Sequence, residues 1–208
     1  MALNDYAGLK QEVIAFSGRD DLSERFDTLL ALAETKIFRT NSDKTLRVRE
    51  METSAALVTV GGTNLVALPD RFIEARSLKI NYGGNSYELT YISPSAMNEI
   101  SSGLPSYFTI KNGGIVFNTV PDGAYDLTLE YYAQPLPLDA TNSTNDILAN
   151  YPDIYFNCCL AMVYDFTTEP EMSQVFMTKA QASIRGAIKA DERAIRKTPT
   201  MRVKGARP

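Results

Sequence analysis

The spacing of apolar residues changes period twice along this chain. It is helical to about residue 52, alternates from Ala55 to about residue 133, and is helical again from about residue 146. The division it predicts is 1–52 for N-terminal helices, 53–145 for a β-rich subdomain, 146–197 for C-terminal helices and 198–208 for a flexible basic tail. The first helix spans 3–17, with Asn4 as N-cap, Tyr6, Leu9, Val13 and Phe16 on one face, and Gly18 past its end. The second spans about 21–39: Asp20 or Asp21 caps it, Glu24 completes an acid-x-x-Glu start, and Leu22, Phe26, Leu29, Leu30, Ala33 and Ile37 keep helical spacing. Residues 41–44 break the pattern and 46–51 read as an extended link.

In the middle third, turn residues recur about every ten positions between alternating runs. Strands 56–60 and 65–68 flank Gly61-Gly62-Thr63-Asn64, which reads as a hairpin turn. Strands 77–80 and 86–92 flank Gly83-Gly84-Asn85, with Tyr87, Leu89 and Tyr91 on one face. Residues 94–101 read as one short helix. The clearest hairpin joins 107–110 to 115–118 through Asn112-Gly113-Gly114. After Pro121-Asp122-Gly123, the run 125–133 sets Tyr125, Leu127, Leu129 and Tyr131 against Asp126, Thr128, Glu130 and Tyr132, so one face turns inward. Pro135 and Pro137 stop the sheet, and 139–145 loops back to the helices.

A helix over 151–168 follows, with Asn150 as cap and Pro152 in the first turn. Ile154, Tyr155, Phe156, Cys158, Cys159, Leu160, Met162, Val163 and Phe166 cover most of its circumference, as expected of the central rod of a bundle. From Glu169-Pro170 a last helix runs to about Arg196 with Met172, Val175, Phe176, Ile184, Ile188 and Ile195, and with Ala180, Ala187 and Ala190 for close approach. The fold class is α+β: a bundle of two N-terminal and two C-terminal helices with an inserted antiparallel β subdomain.

Length admits one cooperative unit, and the longest apolar run, 158–164, is too short to span a bilayer. The opening residues lack a basic region followed by an apolar one, so no secretory signal is expected and folding in a cytoplasm is. Cys158 and Cys159 are adjacent on a helix, about 100° apart, and read as reduced core residues. With no histidine in the chain, neither a four-ligand zinc site of the usual types nor a Ser-His-Asp or Cys-His arrangement can form. No phosphate-binding glycine loop is present, and no catalytic, cofactor-binding or metal residue is expected.

Charge is unevenly placed. Of 21 Lys and Arg, six lie in 193–208 with none of the 25 acids, which leaves 15 against 25 in residues 1–192: a body of -10 and a tail of +6. Between Lys111 and Lys179 there is no basic residue but there are nine acids, so the body repels nucleic acid. Glu88 or Glu130 with Asp126 offers a carboxylate pair of the kind glycoside cleavage uses. A solvated strand face explains the same residues without chemistry. The tyrosines of the β region read as sheet packing, apart from Tyr132, which faces away from Tyr131 and is a candidate interface anchor. The basic tail, Arg193, Arg196, Lys197, Arg202, Lys204 and Arg207, fits docking on an acidic protein surface, nucleic-acid binding or a solvated end. It has no interleaved aromatic residue for stacking on bases.

One ordered set of short motifs goes further: Glu34-x-x-Ile37-x-Arg39, Leu68-Pro69-Asp70-x-Phe72, Gly103-x-Pro105-x-Tyr107-Phe108, Tyr131-Tyr132-x-x-Pro135-x-Pro137-Leu138 and Asn150-Tyr151-Pro152-Asp153. By order and spacing over about residues 5–196, this set resembles phage head-to-tail adaptor proteins, the tail tubular protein A-like gatekeepers of short-tailed and related phages. The resemblance implies a structural virion protein of the neck, assembled in the host cytoplasm. Many copies, typically twelve, would form a ring under the portal that extends the DNA channel and offers a platform to the nozzle or tail. DNA would pass through without sequence-specific binding. On that reading the basic tail docks on the portal or a neighbouring copy, and Asp122, Asp139 and Asp146 are channel-lining candidates whose like charge lets DNA slide. A glycan-binding or glycan-hydrolysing virion protein using the β-subdomain carboxylates is the alternative, and a monomeric cytoplasmic adaptor is a third reading.

Overall fold

The computed structural model describes residues 3–39, 45–98 and 102–196. These fall into two compact units, one from the described residues of Met1–Glu50 and Pro135–Pro208, the other Met51–Gln134. The first is helical and the second is built of two sheets, antiparallel but for one short parallel pair, so the α+β class holds.

In the helical unit, α1 spans Tyr6–Ser17. Asp5, not Asn4, caps it: the Asp5 carboxylate accepts the Gly8 N–H at 2.7 Å, while the carbonyl of Asn4 is taken by the Thr144 hydroxyl at 3.0 Å. Gly18, at φ 65°, closes the helix by donating to Ile14. The buried face holds Leu9, Val13 and Ile14, whereas Phe16, in the last turn, stays 57% exposed. The second predicted helix is interrupted, beginning as a 3-10 turn over Asp20–Arg25 before α2, Phe26–Phe38. Neither Asp20 nor Asp21 caps it, because Arg19 draws Asp21 away with two hydrogen bonds of 2.8 Å. Phe26, Leu29, Leu30, Ala33 and Ile37 form its buried stripe as expected. In the link that follows, Leu46 and Val48 are fully buried and Arg49–Met51 is a 3-10 turn.

A helix the sequence reading did not separate, α3 at Asp146–Asn150, precedes α4 at Pro152–Phe166. Asn150 is therefore the last residue of α3, and Asn145 is the cap, accepting from Leu148 N–H at 2.8 Å. Pro152 has no N–H to continue the ladder and pushes Tyr151 to φ -134°, ψ 56°, which splits what would be one helix in two. As expected of a central rod, α4 packs against α1, α2, α3 and the last helix, α5, Pro170–Arg196. Its Ile154, Leu160 and Val163 are fully buried, each stabilising the fold by about 1.5–3 kcal/mol. Both cysteines are free thiols inside it, and burial pushes Cys158 up to about 12 and Cys159 upward as well.

Helix α5 buries one stripe, Phe176, Ala180, Ile184, Ala187 and Asp191, at three- and four-residue steps. Met172 and Val175 do not join it: they are 39% and 47% exposed, and Ala190 is exposed too. Mid-helix Gly186 faces solvent, and an added Cβ there would meet nothing within 4 Å. Replacing Gly186 by Ala should therefore stabilise the helix by about 0.5–1 kcal/mol through backbone entropy alone. A urea midpoint that fails to rise would contradict this.

The β unit holds two four-stranded sheets. One has the order β1 (Glu52–Val58), β8 (Asp126–Ala133), β3 (Phe72–Tyr82), β4 (Asn85–Glu88). The other has β2 (Leu65–Ala67), β7 (Gly114–Phe117), β6 (Tyr107–Lys111), β5 (Thr90–Tyr91). Two predicted hairpins form. In β6–β7, Asn112 and Gly113 both take positive φ, 54° and 72°, as a twisted two-residue turn requires. In β3–β4, Tyr82 pairs Asn85 across Gly83-Gly84, but the return strand ends at Glu88, and Thr90–Tyr91 crosses to the second sheet in parallel with β6. Tyr87, Leu89 and Tyr91 therefore do not share a buried face: Leu89 is buried and both tyrosines are about half exposed.

The Gly61-Gly62 hairpin does not form. β1 pairs β8 and β2 pairs β7, so this turn carries the chain from one sheet to the other. Buried Thr59 fixes it, its hydroxyl donating to Gly123 O at 2.9 Å and accepting from Tyr125 N–H at 2.8 Å. The helix predicted over 94–101 shrinks to a 3-10 turn at Pro94–Ala96, and 99–101 lie outside the described residues. Strand β8 keeps its predicted alternation, with Leu127, Leu129 and Tyr131 inside against Leu78, Ile80, Phe108 and Ile115.

Candidate functional site

Three of the five short motifs that carried the resemblance touch one another, the segment Tyr131 to Leu138 meeting both Glu34 and Phe72. In the helical unit, Glu34 of α2 is 5% exposed, and its Oε1 accepts the Leu138 N–H at 3.1 Å. The Tyr155 hydroxyl of α4 donates to the same oxygen at 3.4 Å and accepts from Asn145 Nδ2 at 3.0 Å. Asn145 also reaches Leu136 O at 3.2 Å, so one polar network ties α2, α4 and the return segment 136–145 together. Desolvation raises the Glu34 carboxyl above its ordinary range, against the lowering pull of its two donors, and nearby Asp139 raises it further.

In the β unit, Phe72 stacks on Tyr131 at 5.6 Å between ring centroids, and Arg71, at φ 59°, exchanges backbone and side-chain hydrogen bonds with Gln134. Gly103 N–H donates to Val120 O, and Asn118 Oδ1 accepts from the amides of Ser106 and Tyr107. From the start of α4, the Tyr151 hydroxyl donates to Glu50 at 3.2 Å. Glu34, Leu138, Phe72, Tyr131, Tyr107 and Tyr151 of these motifs are thus joints of the scaffold.

The carboxylates considered for glycan chemistry lie on the outer strand face. Glu130 accepts from Ser77 Oγ at 2.8 Å and Lys79 Nζ at 3.4 Å, and these partners hold it below the usual carboxylate range. A proton donor to a glycosidic oxygen needs the opposite shift. Asp126 and Glu88 are exposed at strand ends. Among the described residues no group of three or more His, Cys, Asp or Glu could hold a metal, and no helix is long and apolar enough to cross a membrane.

The assembly candidates are scattered over both units. Arg193 is exposed in the last turns of α5; the side chain of Arg196 and all of Lys197, Arg202, Lys204 and Arg207 lie outside the described residues. Just before them, Asp191 is 8% exposed and accepts from Arg49 Nε at 2.5 Å, which fixes the end of α5 to the 49–51 turn. Asp122 is exposed in the β unit and takes the Tyr125 hydroxyl, which raises that phenol. Asp139 and Asp146 are exposed in the helical unit. Asp139 accepts the amides of Thr141 and Asn142 at 2.6 Å, and Asp146 opens α3, where negative charge suits the free amides. Tyr132 is half-buried, with the Arg76 guanidinium 5.4 Å above its ring and paired to Glu52.

An exposed apolar surface on the helical unit was assigned to the core by periodicity. Phe16 meets Phe156 and Phe176 edge-on at 5.7 Å, Tyr164 stacks on Phe176 at 5.4 Å, and Phe166, under Arg25, is 51% exposed. Periodicity places a residue on a face and says nothing of whether the neighbouring element extends far enough to cover it.

A family model described as SU10 adaptor protein matches residues 4–204. No curated protein matches the chain.

Proposed function

Because the chain belongs to the SU10 adaptor protein family, a family of phage head-to-tail adaptors, we propose that it forms a ring beneath the portal, extending the DNA channel and supporting the tail or nozzle. The family match over nearly the whole chain carries this reading, and it points to a structural rather than catalytic role in the virion. The charge distribution supports the finer parts. A stretch of nine acids without a Lys or Arg between Lys111 and Lys179 suits a wall past which DNA slides, with Asp122, Asp139 and Asp146 as its lining. Twelve copies satisfy the typical arrangement of the adaptors that the motifs resemble. Tyr132 serves as an interface anchor, its ring already oriented by Arg76.

The basic tail, from Arg193 through Arg207, is the docking arm for the portal or a neighbouring copy. Deleting 193–208 leaves the Arg49–Asp191 pair and the buried stripe of α5 in place. The shortened chain should keep its helical circular dichroism but lose co-sedimentation with purified portal. Undiminished attachment would remove the tail from the reading, and a ring structure with the three aspartates on its outer wall would remove the lining.

A further inference from the structure

The edges of the two sheets in the β unit are not alike. Of the outer strands, β2, β4 and β5 have only three, four and two residues, and the part of β3 that β4 leaves bare is interrupted by two bulges. Shortness and bulges both discourage an edge from pairing with another chain. Strand β1 has neither protection. Its seven residues pair with β8 in one unbroken register from Glu52 to Val58, and among the described residues no strand borders its other side. It contains no proline and no lysine, and its one charge, Glu52, is neutralised by Arg76.

One hydrogen bond sets the phase of this edge. Just past Val58, the Thr59 N–H donates to Tyr125 O at 3.0 Å, and in an antiparallel pair the bonded positions alternate. Thr53, Ala55 and Leu57 therefore turn their N–H and C=O towards β8, while Glu52, Ser54, Ala56 and Val58 turn theirs outward. All four outward residues are exposed, Val58 by 52%. The geometry points to β1 of a second copy as the strand that pairs with this edge, antiparallel across a two-fold axis at Ala55. This register uses every outward position: Ser54 lies opposite the second copy's Ala56, and Glu52 opposite its Val58. No like charges oppose one another, and each Val58 is covered by the stem of a Glu52. Among the described residues no other edge has the length to match β1, so its own copy is the partner that satisfies all of it. A two-fold contact closes on itself and does not continue round a ring. It is a contact of the free chain, and its failure leaves the ring reading as it stands.

The test uses the full chain carrying Ala55→Cys. In this register Ala55 faces itself in a non-hydrogen-bonded pair, with Cα atoms about 4.5 Å apart, a separation that a disulfide spans. The native thiols are buried in α4 and stay protonated, which keeps them out of the reaction. Mild oxidation should link two copies at about tenfold the yield of Thr53→Cys, whose own copy lies four residues away along the strand. Thr53→Cys mixed with Leu57→Cys, which face each other, should link where neither does alone. A second measurement needs no thiol. Sedimentation equilibrium of the native chain should give twice the 23.0 kDa of one copy. Ser54→Lys with Ala56→Lys sets lysines opposite one another on an exposed face, and should return the mass to one copy with circular dichroism unchanged. A native mass other than two copies, a pair that survives the two lysines, or equal linkage from Ala55→Cys and Thr53→Cys overturns the proposal.

Discussion

Replacing Tyr155 by Ala should destabilise the chain by about 3–5 kcal/mol, the usual range for truncating a large buried aromatic. Tyr155 is fully buried in α4, its ring meets Phe38 of α2 edge-on at 6.3 Å, and its hydroxyl joins Asn145 to Glu34. Truncation opens a cavity in the helical unit and leaves buried Glu34 and half-buried Asn145 each short of a partner. For a chain of this size each kcal/mol moves the melting temperature by about 2–4 °C, so a fall on the order of 10 °C is expected. Tyr155→Phe separates the two causes. It keeps the ring and loses only the hydroxyl, which should cost about 1–3 kcal/mol. Thermal melts followed at 222 nm check both, and a Tyr155→Phe loss equal to that of Tyr155→Ala would mean that the ring contributes nothing.

Period alone was enough to read the main elements from the sequence. The alternation of 125–133, the Asn112-Gly113 turn and the apolar circumference of α4 each rest on a local rule, and local rules are written in consecutive residues. What stayed hidden depended on distant partners. The Gly61-Gly62 pair has the chemistry of a hairpin turn, but the buried Thr59 hydroxyl binds the 123–125 turn instead and sends the chain to another sheet. Asp21 could have capped α2, and Arg19 takes it. Asn150 stands where a cap belongs, yet Asn145 opens an unexpected helix before it. In each case two similar local choices compete, and a contact the sequence does not display decides between them.

The candidate site was legible in a different way. Motif order identified the family, although the same motif residues turn out to hold the scaffold rather than touch a partner: Glu34 meets Leu138, and Phe72 meets Tyr131. Residues that build joints constrain one another at a distance, which is why order and spacing were informative. The surfaces behave oppositely. Phe16, Phe166, Met172 and Val175 fit a helical stripe, and only the extent of neighbouring elements reveals them as exposed.

Glu34 gives the second large effect, and its sign depends on pH. Burial raises the folded-state carboxyl above its ordinary value of 4.5, so between 4.5 and the raised value the folded chain holds a proton that the unfolded chain has released. Stability from this group therefore falls as pH rises through that window and is level on either side of it. Glu34→Gln keeps an oxygen for Leu138 N–H and the Tyr155 hydroxyl but cannot ionise. It should match the native chain below about 4.5, the ordinary glutamate value, and exceed it in melting temperature above the window, with the gap opening as pH rises. Asp139, whose charge also raises Glu34, should narrow that gap when changed to Asn. Glu34→Leu removes the acceptor altogether. With Leu138 N–H left buried and unmatched, it should cost about 1–3 kcal/mol at any pH where Glu34→Gln is neutral or better. Melting curves for Glu34→Gln and the native chain that run parallel from pH 4 to 8 would mean that this carboxyl is already solvated enough to titrate normally, and that the network holding α2 to the return segment is held by its hydrogen bonds alone.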